Sequence, residues 1–296
     1  MNLIQAIILG IVQGLTEFIP VSSTAHLIFA TRLTGLSSSL SAEQVTATIA
    51  VIQLGTLLAV FVYFARDILS ITVAFVRDHL ALLRGRGAAP DAVGGRGFFA
   101  RLSNEARLGW LIFIGSLPIG VVGLIFKEQI EGTFTKNLWV IAAMMIIVAL
   151  LLVVAEKVGK KERDMDELGL RDALAVGFAQ VLSLLPGASR SGSTIMGGLF
   201  AGERREAAAR FSFLLSIPAI SASGLLELRE ALHRLPAGSG LPLVVATAVS
   251  GVVGYASIWF LLRFLRTHST GVFIIYRLVV GGLILALLAA GAIQAN

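Results

Sequence analysis

Apolar residues in this chain come in long unbroken runs, not at the spacing of a half-buried helix or strand. Six runs approach the ~20 residues a helix needs to cross ~30 Å of hydrocarbon. They cover residues 45–65, 108–126, 138–155, 211–226, 241–262 and 272–290, the fourth being the shortest. Tyr63, Trp110, Trp139 and Trp259 fall near run ends, where interfacial aromatics sit. Two further stretches, 3–30 and 173–201, are apolar but interrupted. The first holds Gln13, Glu17, Pro20, Ser22, Ser23, Thr24 and His26; the second holds Gln180, Ser183, Pro186, Gly187, Ser189, Arg190, Ser191, Ser193 and Thr194. Proline followed by polar residues breaks a helix. Broken backbone at membrane depth is tolerated only inside protein or beside a wet cavity. The pattern therefore predicts an all-α integral membrane protein with six transmembrane helices and two re-entrant helix–loop–helix hairpins. Gly115, Gly120, Gly123, Gly197 and Gly198 are expected to let helices approach closely.

Composition agrees with the pattern. The 296 residues are 56% hydrophobic and 14% charged, with a mean hydropathy of +0.86. Soluble domains carry ~25% charged residues, so a cytosolic enzyme and a nucleic-acid-binding domain are excluded. The chain has no cysteine, which removes disulfides and thiolate chemistry. The first positive residue is Arg32, so the N-terminus lacks the basic region of a signal peptide.

The net charge of +6 orients the chain instead of pointing to nucleic acid. If both hairpins are re-entrant, 66–107, 156–172, 201–210 and 263–271 share one face, and these segments hold 17 of the 24 Lys and Arg. The other face holds five, and Arg190 and Arg277 lie within apolar segments. The bias makes the first face cytoplasmic and puts both termini outside. Segment 66–107, with its Gly- and Arg-rich run from Arg84, reads as a flexible cytoplasmic linker. Arg277 sits near the cytoplasmic end of the last run, where snorkelling and a site role both remain open.

The interrupted stretches echo one another. Gly10-Ile-Val-Gln-Gly-Leu15 recurs as Gly177-Phe-Ala-Gln-Val-Leu182, each followed by a proline and a Ser/Thr cluster. With the charge-derived topology this is an inverted repeat within a single polytopic domain, 1–296, whose halves are 1–155 and 156–296. Ionisable groups deep in a bilayer are costly and usually functional. Glu17 is the one acid, and His26 the one histidine, within an apolar stretch. Gln13 and Glu17, four apart, share a helix face. Ser22, Ser23 and Thr24 suit the start of a second short helix, as do Ser189 and Ser191 around Arg190. Two helix N-termini converging with an arginine make an anion site, suited to phosphate. A hydroxyl, a group to move its proton and a cation make phosphoryl transfer possible. From the residues alone, a phosphatase and an anion transporter both fit.

Glu17-Phe-Ile-Pro-Val-Ser-Ser-Thr-Ala-His26 and Pro186-Gly-Ala-Ser-Arg-Ser-Gly192 resemble the undecaprenyl pyrophosphate phosphatase, or bacitracin-resistance, family. The (E/Q)xxxE motif of that family is matched by Gln13 to Glu17, and its PGxSRSxxT motif by Pro186 to Thr194. Phe211 to Pro218 and Ile275-Tyr-Arg277 are further matching strings, and the likeness covers essentially the whole chain. It implies hydrolysis of undecaprenyl diphosphate to the monophosphate and phosphate, recycling the lipid carrier for cell-wall synthesis. It also implies a divalent cation, Mg²⁺ or Ca²⁺, and a site open to the periplasm of the bacterial inner membrane. By the resemblance, Ser23 or His26 is the nucleophile, Glu17 and His26 are base and acid, and Arg190 stabilises charge. Ser189, Ser191 and Thr194 would cradle the diphosphate, and Gln13, Ser22 and Thr24 would shape the pocket. Glu17 is the one nearby acid for the cation. The expected partners are a polyprenyl diphosphate lipid and the bilayer, not nucleic acid; a homo-oligomer stays open, as does a transporter or flippase of an anionic lipid on the same architecture.

Overall fold

The computed structural model describes residues 1–85, 98–126, 137–234 and 239–295. Its regular elements are helical, with one isolated bridge between Arg163 and Glu203. The α-helices are α1 (Leu3–Phe18), α2 (Ser23–Leu33), α3 (Leu36–Ser39), α4 (Ala42–Tyr63), α5 (Ala65–Leu83), α6 (Asn104–Ile125), α7 (Leu138–Val158), α8 (Leu170–Val181), α9 (Arg190–Phe200), α10 (Arg205–Arg234), α11 (Gly240–Leu265) and α12 (Gly271–Ala289). Sequence chemistry sets several starts. Asn2 with Gln5, and Ser41 with Gln44, form reciprocal capping boxes, and Ser103 and Asn137 cap α6 and α7.

Among the described residues five helices, α4, α6, α7, α11 and α12, are long and apolar enough to cross a membrane. The chain is thus a multi-pass, all-helical membrane protein. The expected fourth span lies within α10, 30 residues long, which carries Pro218 and charged residues at both ends and does not reach that criterion.

Two expectations need correction. Segment 66–107 is not wholly a linker. Its first part is α5, which packs on α6 with Ile71 and Phe75 against Gly109. Buried Asp78 on α5 also accepts bonds from Ser103 N and Oγ at 2.8 and 2.6 Å. Apolar residues three to four apart (Ile68, Ile71, Phe75) give this helix a packing stripe that outweighs the flanking charges. Most of the Gly- and Arg-rich run, 86–97, lies outside the described residues. Among the described residues, Gly120 and Gly123 do not mediate close packing either: an added Cβ meets nothing within 4 Å at the first, and only Leu184 at 3.9 Å at the second. Close approach occurs where the packing is tightest: a Cβ on Gly177 of α8 would lie 2.4 Å from Gly115 O of α6.

Both interrupted stretches are helical hairpins, α1–α2 and α8–α9. Their helices, 16, 11, 12 and 11 residues long, are too short to cross ~30 Å at ~1.5 Å per residue. Each hairpin is tied at its open end. Gln5 Nε2 donates to Thr34 O at 2.8 Å in the first. In the second, Arg163 bonds both Asp172, on α8, and the carbonyl of Ala201, just past α9. The fully buried Glu203 lies in this second closure, with neither carboxylate oxygen bonded among the described residues. Burial and the neighbouring Asp172 push its carboxyl up to about 8, against the opposing pull of Arg163.

Polar bonds also mark two ends of the molecule. At one, Arg205 pairs with Glu156, Arg210 with Asp67 and Arg266 with Glu206, joining the ends of α7 and α11 to the starts of α5 and α10. At the other, Leu138 N donates to Ala295 O and Arg32 reaches Gln294 O, joining the start of α7 to the end of α2. The first hairpin opens at this second end; the second opens at the ion-paired end, where Arg204 meets Asp164.

Candidate active site

The site begins with two breaks in backbone. Pro20 ends the run of α1, and α2 starts after Ser22, whose φ is +77°. Pro186-Gly187 ends the second arm, and α9 starts after Ser189, whose φ is +68°. An L-residue in this region costs of order 1–3 kcal/mol and persists only where its surroundings impose it. Gly187, at φ +90°, is required by contact as well, since a Cβ there would meet Ile141 O at 2.2 Å.

These turns bring the predicted acid, hydroxyl and guanidinium together. Ser23 Oγ donates to Glu17 Oε2 at 3.1 Å. Arg190 Nη2 donates to Glu17 Oε1 at 3.0 Å, across the gap between the hairpins. Gln13 Nε2 donates to Glu17 Oε2 at 3.1 Å and to Thr56 Oγ1 at 3.3 Å. Glu17 is 8% exposed and the Arg190 side chain 11%. The second terminal nitrogen of Arg190, Nη1, is buried and bonds nothing among the described residues; nor does Ser22 Oγ. Ser22 does not cap α2 with its side chain, which leaves first-turn N–H groups of α2 open to an anion. The geometry joins a hydroxyl to a carboxylate and presents spare donors beside them.

His26 is held differently. Its Nδ1 lies 2.7 Å from Ser22 O, and its Nε2 lies 2.6 Å from the Tyr276 hydroxyl. A carbonyl only accepts, so Nδ1 carries the proton, and in the neutral ring Nε2 accepts from Tyr276. Neither ring nitrogen is then free to attack phosphorus.

The remaining residues divide. Ser189 Oγ caps α9 by accepting from Gly192 N at 3.2 Å, and Ser191 bonds Ser189 and donates to Ile19 O at 3.4 Å, a second tie between hairpins. Thr194 is fully buried and bonds Arg190 O and Ser212 on α10, so it serves the packing of α9. Thr24 is exposed, with no side-chain bond among the described residues. Three participants carried no strong signal in sequence: Thr56 and Tyr276 are ordinary residues within apolar helices, and Arg277 was ambiguous. Arg277 does not snorkel. It is fully buried, and among the described residues its guanidinium bonds main-chain carbonyls only.

A cation would find few protein ligands here. Among the described residues no three His, Asp or Glu side chains cluster, and both Glu17 oxygens already accept hydrogen bonds. An apolar groove of about 710 Å³ runs between α4 and α11 along Val51, Leu58, Val62, Val244 and Val252, and none of the polar group lines it.

A family model described as bacitracin resistance protein BacA matches residues 6–283. Among similar proteins, an undecaprenyl-diphosphatase from Syntrophobacter fumaroxidans is 51% identical over 285 residues, covering 96% of this chain and 97% of the relative. One from Chloroherpeton thalassium is 45% identical with full coverage of both chains. One from Nocardia farcinica is 46% identical over 100% of this chain and 99% of its own.

Proposed function

This chain belongs to the bacitracin resistance protein BacA family, and we propose that it hydrolyses undecaprenyl diphosphate to undecaprenyl phosphate and inorganic phosphate. The observation that carries this reading is the Ser23–Glu17–Arg190 arrangement, built from two hairpins inside a membrane protein. Ser23 Oγ attacks the terminal phosphorus while its proton passes to Glu17. The bond from that phosphorus to the bridging oxygen breaks, and undecaprenyl phosphate leaves. Water then cleaves the phosphoserine, releasing phosphate and restoring the hydroxyl. Arg190 Nη1 and the N–H groups opening α2 take up charge on the equatorial oxygens. The engaged nitrogens of His26 favour Ser23 as nucleophile and leave His26 to shape the pocket beside Tyr276.

A divalent cation belongs to this reading. The site provides Glu17 as its one carboxylate, so phosphate oxygens and water would supply most ligands, as Mg²⁺ accepts. When bound, the ion would offset charge on the diphosphate.

The same reading places the chain in the bacterial inner membrane, with α10 as a sixth span, both termini periplasmic and the site open to the periplasm. Support comes from the 17-residue charge bias, whose segments contribute to the ion-paired end. An inverted repeat of 1–155 and 156–296 is supported by the paired hairpins, their left-handed serines and their opposite open ends. Reciprocal packing adds to it: α1 lies on α11 and α8 on α6.

The test is phosphate release from undecaprenyl diphosphate by purified protein, with Mg²⁺, Ca²⁺ or a chelator. Release by wild type and none by Ser23→Ala supports the assignment; equal rates overturn it. No release, with movement of an anionic lipid in proteoliposomes, would replace catalysis by transport. For orientation, a cysteine at position 84 should label only from the cytoplasm.

A further inference from the structure

Among the described residues Arg277 is the largest fully buried side chain, and it has no carboxylate partner. Its guanidinium is spread over three elements. Nε donates to Met145 O at 3.1 Å and Nη2 to Met144 O at 3.3 Å, both on α7. Nη1 donates to Pro20 O at 3.4 Å, in the break of the first hairpin. Nη2 also donates to Gly187 O at 3.1 Å and Ala188 O at 3.0 Å, in the break of the second. One side chain thus joins both breaks to a common helix, within two residues of Ser22 and of Ser189.

A buried cation is costly unless its donors are satisfied. Here main-chain carbonyls satisfy it, and the three in the breaks, those of Pro20, Gly187 and Ala188, would otherwise lack an intrahelical partner. Only a planar five-donor fork can reach carbonyls on separate elements at once; an ammonium offers three donors from one point. The other ties between the hairpins, Arg190–Glu17 and Ser191–Ile19 O, belong to or adjoin the reacting group. In the first, Arg190 also has to take up phosphate through Nη1. The Arg277 tie involves no atom that meets substrate.

We propose that Arg277 is a positioning residue: from behind the site it holds the Pro20 and Gly187–Ala188 turns at a set spacing, keeping Ser23 aligned with Arg190 throughout turnover. The proposal rests on the phosphatase reading above. Misplacing reacting groups by about 1 Å costs about 10²-fold in rate, and this loss falls on kcat because no direct contact with substrate is removed.

The experiment compares wild type, Ser23→Ala, Arg277→Lys and Arg277→Ala in phosphate release, with kcat and KM resolved and folding followed by thermal unfolding in detergent. The expected result is a kcat about 10²-fold lower for Arg277→Lys, at temperatures where it is fully folded, with KM within about threefold. Millimolar guanidinium, but not ammonium, should partly restore Arg277→Ala. Wild-type kcat in folded Arg277→Lys overturns the proposal. So does a loss confined to KM, which would mean charge alone matters. Failure of both variants to fold overturns it too, since Arg277 would then be a determinant of the fold. An inactive wild type, or an active Ser23→Ala, would instead sink the phosphatase reading.

Discussion

The two hairpins use one backbone solution for different chemistry. Each has a helix ending near a proline, a serine with φ near +70° and a second helix of 11 residues. Each carries a buried glutamine in its first arm, Gln13 or Gln180. Four residues on, the first has Glu17 and the second Leu184. Just after the turn serine, the first has Ser23 and the second Arg190. Gln13 therefore has a carboxylate to bond, whereas both polar atoms of Gln180 are buried without a partner among the described residues. Their closures differ as well, one through a neutral Gln5–Thr34 bond and the other through Arg163, Asp172 and the buried Glu203. The comparison teaches that the strained turn is the shared device, while side chains at two registers decide which hairpin carries the hydroxyl and carboxylate and which the guanidinium.

The sharpest way to break that division is at the nucleophile. Ser23→Ala should lower phosphate release by roughly 10⁴-fold or more, as loss of a nucleophile does, while Ser22→Ala, whose hydroxyl is unbonded, should retain far more activity. A steady-state phosphate assay decides it. Next comes the contribution of the second hairpin. Arg190→Lys keeps charge but loses the fork, and kcat should fall by about 10³-fold, in the range of charge-stabilising arginines in phosphoryl transfer. If Lys supported full activity, the second hairpin would supply only a field.

A smaller effect tests the first hairpin's outer contact. Tyr276→Phe removes the donor to His26 Nε2, and a hydrogen bond of this kind is worth about 0.5–1.5 kcal/mol, or up to ~tenfold. Its rate should drop within that range, with the pH–rate profile moved as His26 Nε2 loses its hydroxyl partner. An unchanged profile would mean that His26 plays no part near the reaction. The smallest effect on rate is expected at Glu203, which touches no reacting group. Its folded carboxyl, at about 8, lies above its ordinary value of 4.5. The folded state therefore holds the proton more tightly, and stability is full below about pH 4.5 and lost as pH rises through about 8. Glu203→Gln should remove this decline, raising the unfolding temperature at pH 8 more than at pH 5, with activity within about twofold. An unaltered pH dependence would show that the second closure is not ionisation-sensitive.

Much of this was legible from residue order. Apolar runs long enough for a bilayer define α4, α6, α7, α11 and α12 closely, because lipid forces contiguous apolar segments. The proline-and-serine breaks mark both hairpins, and lone Glu17, His26 and Arg190 mark the candidate site by their cost in lipid. α5 was not legible, because its narrow stripe lies among arginines that read as solvated. Thr194 looked like a ligand by its place in a motif, yet its hydroxyl faces α10. Helix phase, and not proximity in sequence, decides where a side chain points.

What the sequence determines by itself, then, is that the chain lives in lipid, that two of its segments must break there, and which ionisable residues are worth their burial. Periodicity and transfer cost are local properties, and they are written into residue order. Tertiary structure alone decides that Glu17 faces Arg190 across 173 positions, that Tyr276 meets His26 across 250, and that Arg277 bonds the breaks of both hairpins. Those pairings depend on how short helices pack against long ones, and packing is a property of the whole chain.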